Sequence, residues 1–530
     1  MIFRRYRLLA GLSVLASLAT AGTAFGQTSR PRTVESGKPA DPPRESKCAV
    51  LIEQAVARSK AGDTQGAERL LLDASTQCPE SPAAWRELAG LRFVNSQWEE
   101  ARLLAAKAVK LAPEDRHAWK ILGATHFLQG NALEALRAWN RAGEPRIEAI
   151  GVSGAARTHQ PVIVDRLGVA PRDLLTPSAF RRAARRAADL PSMTDAVVRY
   201  VPRDNSEASL EVDVTEGKLY PWGYASWGNI LGRALLLREV KLPFAGFTGI
   251  GERLDVEYGW KRNRPRWALR VTAPAPGLLP GLLVVEFARS RQTFSAEGPF
   301  GPGRLVEDRD GVRVGLEDWA TGRLHWHADG RYQRIEQARF VAIGGGIDSH
   351  FWDDHVALLV DASAWSSTGA GPGFRLASFT AKWRQRAAPG AGGFSAEAGT
   401  TVASADTPLS LWSGADVGSS REAYLRAHKL LTDGVVTSAV FGRRLTFASA
   451  TYEQPIRSFK FGTATAAAFL DTARAWEGMV PGRRASQTDV GLGLRFHSPK
   501  FGSVRVDFGY GLRDGATAVS AAFVRPWPRR

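Results

Sequence analysis

Arg253-Leu254-Asp255-Val256-Glu257-Tyr258-Gly259-Trp260 is the stretch whose reading decides the fold. Successive side chains of an extended strand point to opposite faces. Leu254, Val256, Tyr258 and Trp260 therefore share one face, and Arg253, Asp255, Glu257 and Gly259 share the other. The rhythm returns in Val490, Leu492, Leu494, Phe496 and in Val504, Val506, Phe508, Tyr510, Leu512. A soluble sandwich alternates in the same way. Three features favour a barrel in lipid over 218–530: the length of the region, the Gly, Arg and Asp of its polar face, and an export signal at the start of the chain. Hydrocarbon admits only a closed barrel, because an open edge leaves unpaired backbone groups there. The region suits about 16 antiparallel strands of ~9–11 residues with turns and long outer loops.

The chain has 530 residues and a net charge of +17. Such a charge first suggests nucleic acid. The basic residues are dispersed along strands and loops, however, so anionic lipid headgroups are the expected partner and nucleic acid is not. Residues 1–27 have the parts of a secretory signal: Arg4, Arg5 and Arg7, an apolar run from Leu8 to Leu18, and small residues around Gly22–Gly26. That run is too short to span a bilayer, and no later stretch reaches the ~20 apolar residues a membrane helix needs. Strands would carry the chain into a membrane.

A Pro/Arg/Ser-rich stretch, 28–46, reads as a flexible linker. Over 47–145 the spacing turns helical, and a repeat appears. Trp85 and Trp119 stand 34 residues apart (119 − 85), as do Leu88 and Leu122, Phe93 and Phe127, Ala101 and Ala135, and Ala108 and Ala142. With Trp119, Leu122-Gly123, Ala135 and the closing Pro113, the pattern resembles the tetratricopeptide repeat, in three copies. Such arrays either bind a peptide or partner protein in a groove or act as spacers. Cys48 opens the first helix of the array and Cys78 ends the second, neighbouring ends in an antiparallel pair. In an exported chain a disulfide between them is expected, with two buried thiols as the alternative.

Residues 146–217 read as β-α-α-β-β, with strands at Arg146–Val152, Ala196–Val201 and Ala208–Val214 and a polar turn, Arg203-Asp204-Asn205-Ser206, joining the last two. Gly154, Leu174-Leu175-Thr176, Leu190-Pro191 and Val212-Asp213-Val214-Thr215-Glu216-Gly217 make this segment similar to a POTRA domain. An edge strand there could receive an extended client strand, and Ala208, Leu210, Val212 and Val214 are the expected edge; a rigid spacer is the alternative.

Gly249-Ile250-Gly251-Glu252-Arg253-Leu254 follows, then repeated hairpins. Phe469-Leu470-Asp471-Thr472-Ala473-Arg474-Ala475-Trp476 and Arg505-Val506-Asp507-Phe508-Gly509-Tyr510-Gly511-Leu512-Arg513 come near the end. In this order, over about 146–530, the chain resembles the BamA/TamA family of outer-membrane proteins. The resemblance implies a loop folded into the lumen, whose Arg-Gly-aromatic tip docks on acidic residues of the wall. Here the position is Leu425-Arg426-Ala427-His428, so Arg426 would dock on Glu453 and Asp471, with Ala427 and His428 in place of the Gly-aromatic pair. A guanidinium fork suits carboxylates, and three unrelated lumen charges are the plainer alternative.

The expected fold is multidomain: an all-α helical repeat array (47–145), a small α+β POTRA domain (146–217) and a transmembrane β-barrel (218–530). Its place would be the outer membrane, with the first two parts in the periplasm. The resemblance implies insertion of proteins into that membrane or translocation across it. Partners would then be membrane lipid, unfolded outer-membrane or secreted client proteins, and a periplasmic protein held by the repeats. Dedicated two-partner secretion, a passive polysaccharide-export pore, and a tether whose repeats recruit an envelope enzyme are the rivals. Neither enzymatic activity, cofactor nor metal is expected: His325-Trp326-His327 places two histidines on one strand face, where an ordinary lumen pair is expected over a metal pair, Glu317-Asp318 and Asp353-Asp354 read as turn acids, and Gly344–Gly346 and Gly390–Gly393 lack the Lys of a phosphate loop.

Overall fold

Small residues at a 34-residue spacing set the first part of the molecule. The computed structural model describes residues 44–203, 205–220, 223–298, 301–386, 390–414, 425–428, 431–432, 434–436, 440–478, 485–498 and 502–524. The signal (1–27) lies outside the described residues, as does the linker up to residue 43; its last three residues begin the first helix instead. Two compact units divide between Pro79 and Glu80. In the first, α1 (Arg44–Lys60) and α2 (Thr64–Gln77) form a hairpin on Ala55, Ala67, Leu71 and Ala74. Asp63 caps α2 by accepting the Gly66 N–H at 2.8 Å. Cys48 and Cys78 are joined in a disulfide, their Cα atoms 6.5 Å apart.

The second unit opens with α3 (Pro82–Val94), α4 (Trp98–Leu111), α5 (Arg116–Leu128) and α6 (Ala132–Arg141). Thr64, Trp98 and Ala132 begin α2, α4 and α6 at the repeat spacing, 34 residues each time (98 − 64, 132 − 98). Leu88, Leu122, Ala101, Ala135, Ala108 and Ala142 are all buried, so the repeated positions are packing positions. Gly123 lies directly under the Trp139 indole, where a Cβ has no room.

Next come β1 (Arg146–Ser153), α7 (Gln160–Leu167), α8 (Pro177–Ala188), β2 (Met193–Pro202) and β3 (Glu207–Glu216). The sheet order is β1-β3-β2, with β3 parallel to β1 and antiparallel to β2. This corrects one expectation. Ala208, Leu210, Val212 and Val214 lie on the central strand and are buried, so β3 offers no edge. The hairpin visible in the sequence joins β2 to β3, but β1 returns to the other side of β3 through a long-range parallel ladder. The last helical hairpin shares its core with this α+β domain: Leu136 and Trp139 pack with Leu175, Tyr200 and Leu210. The Tyr200 hydroxyl donates to the Ala132 carbonyl at 2.7 Å. The array and the α+β domain are thus one packed body from α3 onward.

The barrel was expected to begin at residue 218, but the segment before its first strand is α9 (Tyr224–Leu237). Its last turns are Leu/Ala-rich and lack strict alternation, which favours helix. The wall follows: β4 (Glu239–Ala245), β5 (Arg253–Lys261), β6 (Arg264–Pro274), β7 (Leu282–Gly298), β8 (Gly301–Trp319), β9 (Leu324–Ile335), β10 (Ala338–Phe351), β11 (Val356–Ser367), β12 (Phe374–Arg384) and β13 (Gly393–Ala403). The two-residue β14 (Leu431–Thr432) and β15 (Val435–Val436) interrupt it, and β16 (Arg444–Phe459), β17 (Gly462–Trp476), β18 (Ala485–Ser498), β19 (Gly502–Gly511) and β20 (Thr517–Val524) complete it. The sheet closes into a barrel with β20 beside β4. Its long strands, β4–β13 and β16–β20, number fifteen among the described residues, and the ladders between successive ones are antiparallel.

Burial inverts the soluble pattern. On β17, Asp471 faces the lumen at 1% exposure and its neighbour Leu470 faces outward at 48%. Val314, Ile343, Val360, Phe379, Leu492, Phe508 and Val519 are outward and exposed on strands all round the wall. A sandwich would bury such residues between two sheets; here the sheet closes on itself and presents them outside.

Candidate functional site

Asp471 on β17 and Asp489 on β18 are direct cross-strand partners. Asp507 on β19 pairs with Gly493 of β18. Three carboxylates on adjacent strands of one inner face, all essentially buried, repel one another unless cations reach them. The loop between β13 and β16 brings those cations. Arg426 forks onto Asp471, Nε to Oδ2 and Nη2 to Oδ1, both at 2.7 Å. Its Nη2 also donates to Ser449 and Thr451, and Nη1 stands 3.6 Å from Asp507. The guanidinium lies 3.6 Å over the Phe469 ring.

Asp489 holds the rest of the tip. It accepts the Ala427 N–H at 2.6 Å, the His428 N–H at 3.2 Å and the His428 Nδ1–H at 2.7 Å. His428 Nε2 lies 2.9 Å from Asp514, so both ring nitrogens face carboxylates and both carry protons in this arrangement. Ala427 stands where a glycine was expected, yet its φ is not positive. The space that a loop glycine would have provided comes from the wall. A Cβ on Gly509 would lie 2.7 Å from the Ala427 nitrogen, and one on Gly511 would lie 2.6 Å from the His428 ring. We expect Gly509→Ala to unseat the tip at about 1–3 kcal/mol. Faster hydrogen exchange at Ala427 and His428, with barrel insertion unchanged, is the measurable outcome.

Of the three residues expected to form the lock, the structure brings two together. Glu453 pairs with Arg495 at 3.0 Å and His497 at 2.9 Å. Those two side chains occupy its carboxylate from the β18 side, which the register of β16 to β18 decides and the short motif around Glu453 does not reveal. Asp489, Asp507, Arg495 and the role of His428 were missed. Their signal lay in the alternation itself: Asp489, Gly491, Gly493 and Arg495 occupy the polar face of one strand.

Described residues of the same loop are also fastened to the wall at the far end. β15 pairs with β7, Gln292 donates to the Gly434 carbonyl at 3.1 Å, and Glu307 accepts the Ser410 N–H at 2.6 Å. Phe294, Val436 and Phe441 form an apolar cluster there with Trp412.

At the other end the α+β domain is clamped to the barrel turns. His159 and Ser192 donate backbone N–H groups to the Gly249 and Gly251 carbonyls of the β4–β5 turn. Four and six strands along, α7 and α8 present arginines. Asp318 at the end of β8 accepts from Arg166 at 2.7 Å and Arg186 at 3.0 Å, while Arg181 and Arg185 pair with Asp353 and Asp354 in the β10–β11 turn. Burial would raise the Asp354 carboxyl, but the His350 hydrogen bond and Arg185 hold it at about 2. A carboxyl held low in the folded chain adds stability at neutral pH and loses it on acidification. The Arg185–Asp354 contact should therefore persist down to pH 3.8 and fail between there and about 2. Energy transfer between dyes on α8 and the β10–β11 turn would register the change.

Among the described residues, no group of three or more His, Cys, Asp or Glu side chains could hold a metal ion. His325 and His327 each face an acid, Asp348 at 3.6 Å and Asp361 at 3.1 Å. No described helix is long and apolar enough to cross a membrane.

No family model matches the chain, and no curated protein is similar to it in sequence. Among solved structures, BamA from Haemophilus ducreyi lacking POTRA domains 1–3 is similar in fold, with 11% identity over 71% of this chain and 84% of that chain and a TM-score of 0.43.

Proposed function

We propose that the chain is an outer-membrane protein that inserts proteins into that membrane or translocates them across it, with its helical array and α+β domain in the periplasm. The observation that carries the reading is the closed barrel whose outward side chains are apolar and exposed all round while its lumen is polar and charged. An exposed apolar surface of that extent needs lipid against it. In this reading the α+β domain corresponds to a POTRA domain and the helical hairpins to tetratricopeptide repeats. The array recruits a client or a periplasmic partner, and the Arg426 loop fixes the lumen between cycles.

The site for an incoming strand is β2, in place of β3. β2 lies at the edge of the three-stranded sheet, and Val197 is exposed on it. The β1 edge is already covered in its first part, where Ile147 exchanges backbone hydrogen bonds with Arg172 and Asp173. A free ladder can be extended by a client strand. The loop tip docked on the inner wall at Asp471 and Asp489 weighs against a passive pore for polysaccharide.

Photocrosslinkers at Asp195, Val197 and Arg199 during export test the proposal. Adducts with many unfolded barrel precursors support insertion, whereas one secreted protein points to dedicated two-partner secretion. No adducts, together with normal levels of other barrel proteins after depletion, would remove both readings and leave the tether.

A further inference from the structure

Several outward arginines line one end of the barrel. The β4–β5, β8–β9 and β10–β11 turns meet the α+β domain, so strand direction places the β9–β10 turn and the β13–β16 loop at the opposite end. At that far end Arg334 is the last outward residue of β9, Arg339 the first of β10, Arg375 the first of β12 and Arg444 the first of β16. All four are exposed. Immediately inward the surface is apolar: Tyr332 follows Arg334, Val341 and Ile343 follow Arg339, and Ala377 and Phe379 follow Arg375. The arginines therefore stand where the greasy band stops. Near the α+β domain the outward face carries exposed Phe351, Trp383, Phe394 and Tyr452.

Two features show that this rim is more than solvated charge. Arg334 and Arg339 are direct cross-strand partners. Like charges so placed repel, and an anion between them relieves the cost. Asp310 answers Arg334 at 2.7 Å and Glu477 answers Arg444 at 3.1 Å. Among the described residues neither Arg339 nor Arg375 has an acidic partner. Guanidinium forks match phosphate oxygens bidentately. A phosphomonoester carries more charge than the single charge of a phosphodiester. Arg339 and Arg375 sit two strands apart, about 10 Å across the sheet, and four residues out of step along it, Arg339 level with Thr368 and Arg375 with Ala364, so their backbones are roughly 16 Å apart; two long side chains and one headgroup bearing two phosphates on a sugar scaffold can bridge that span.

We infer that the arginine rim centred on Arg334, Arg339 and Arg375 binds the phosphate groups of glycolipids in the leaflet remote from the α+β domain. The inference rests on the membrane reading proposed above. Bound glycolipid would fix the depth of the barrel and neutralise the Arg334–Arg339 pair.

Native mass spectrometry of the full chain in detergent, with bis-phosphorylated lipid A, its dephosphorylated form or phosphatidylglycerol added, tests it. Lipid A should be retained, and the R334Q/R339Q/R375Q variant should lose at least about tenfold of that retention. R457Q, at the end facing the α+β domain, should retain as much as the parent chain. Heat-modifiable gel migration reports whether the triple variant is folded; if it is not, R339Q and R375Q are compared singly. Equal retention by the folded variants, equal retention of dephosphorylated lipid A, or equal retention of phosphatidylglycerol overturns the inference. Failure of the parent chain to enter any bilayer overturns the membrane reading with it, whereas normal insertion with equal retention removes this inference alone.

Discussion

Arg426→Ala should leave the barrel able to insert but release the loop tip, at a local cost of about 3–5 kcal/mol. The guanidinium and Asp471 are both nearly inaccessible, so removing one leaves the other as a buried charge without its fork. Asp489 lies directly across from Asp471 and is held by His428 and the Ala427 N–H, not by Arg426, so the repulsion that Arg426 offsets returns to the wall. Arg426→Lys should recover only part of the loss, because an ammonium cannot make two parallel bonds to one carboxylate. Hydrogen exchange over Leu425–His428 measures the release, and crosslinking to clients measures its consequence. A chain that handles clients normally with a released tip would separate the lock from the proposed activity. Protection unchanged in Arg426→Ala would show that the fork carries none of the loop's stability.

Asp318→Ala should have an effect of similar size at the opposite end, about 3–5 kcal/mol. Asp318 is 2% exposed and serves two arginines from different helices, Arg166 and Arg186. Without it both guanidiniums are left facing each other beside Trp319. The barrel should remain intact, since Asp318 is at the end of β8 and its partners belong to the α+β domain. The expected outcome is a domain that swings about the β4–β5 turn, where the Gly249 and Gly251 carbonyls still hold it. Distances between spin labels on α8 and the β8–β9 turn should broaden in Asp318→Ala and stay narrow in the parent. A narrow distribution in both would mean that the β4–β5 turn contacts and the Arg181–Asp353 and Arg185–Asp354 pairs fix the domain without Asp318.

Periodicity was the legible part of this chain. The two-residue rhythm at Leu254–Trp260 and the 34-residue spacing of Trp85 and Trp119 reflect local geometry, and both correspond to elements in the structure. The Arg426–Asp471 pair was within reach because each residue sits in a short recognisable stretch. What failed depended on pairing between distant strands. The sequence around Ala208–Val214 cannot tell a central strand from an edge, because the parallel ladder to β1 is set about 60 residues upstream. Glu453 looked like a partner for Arg426 until the register set Arg495 and His497 beside it. The opposed acids Asp471 and Asp489 become a site only once β17 and β18 are paired. The clamp was hidden for the same reason: Asp318, Asp353 and Asp354 read as ordinary turn acids until α8 packs over them.

Everything proposed about clients, glycolipid and the lock depends on hydrocarbon surrounding the wall while water fills its interior. A cysteine and spin-label scan along Arg339–Phe351 of β10 in reconstituted bilayers tests this most directly. Val341, Ile343, Ile347 and Phe351 should be accessible to oxygen dissolved in lipid, and Phe340, Ala342, Gly344 and Asp348 to a water-soluble nickel chelate or to neither. That two-residue alternation is the predicted result. Labels equally accessible to the chelate at every position, or a chain that stays soluble and folded without detergent, would contradict it.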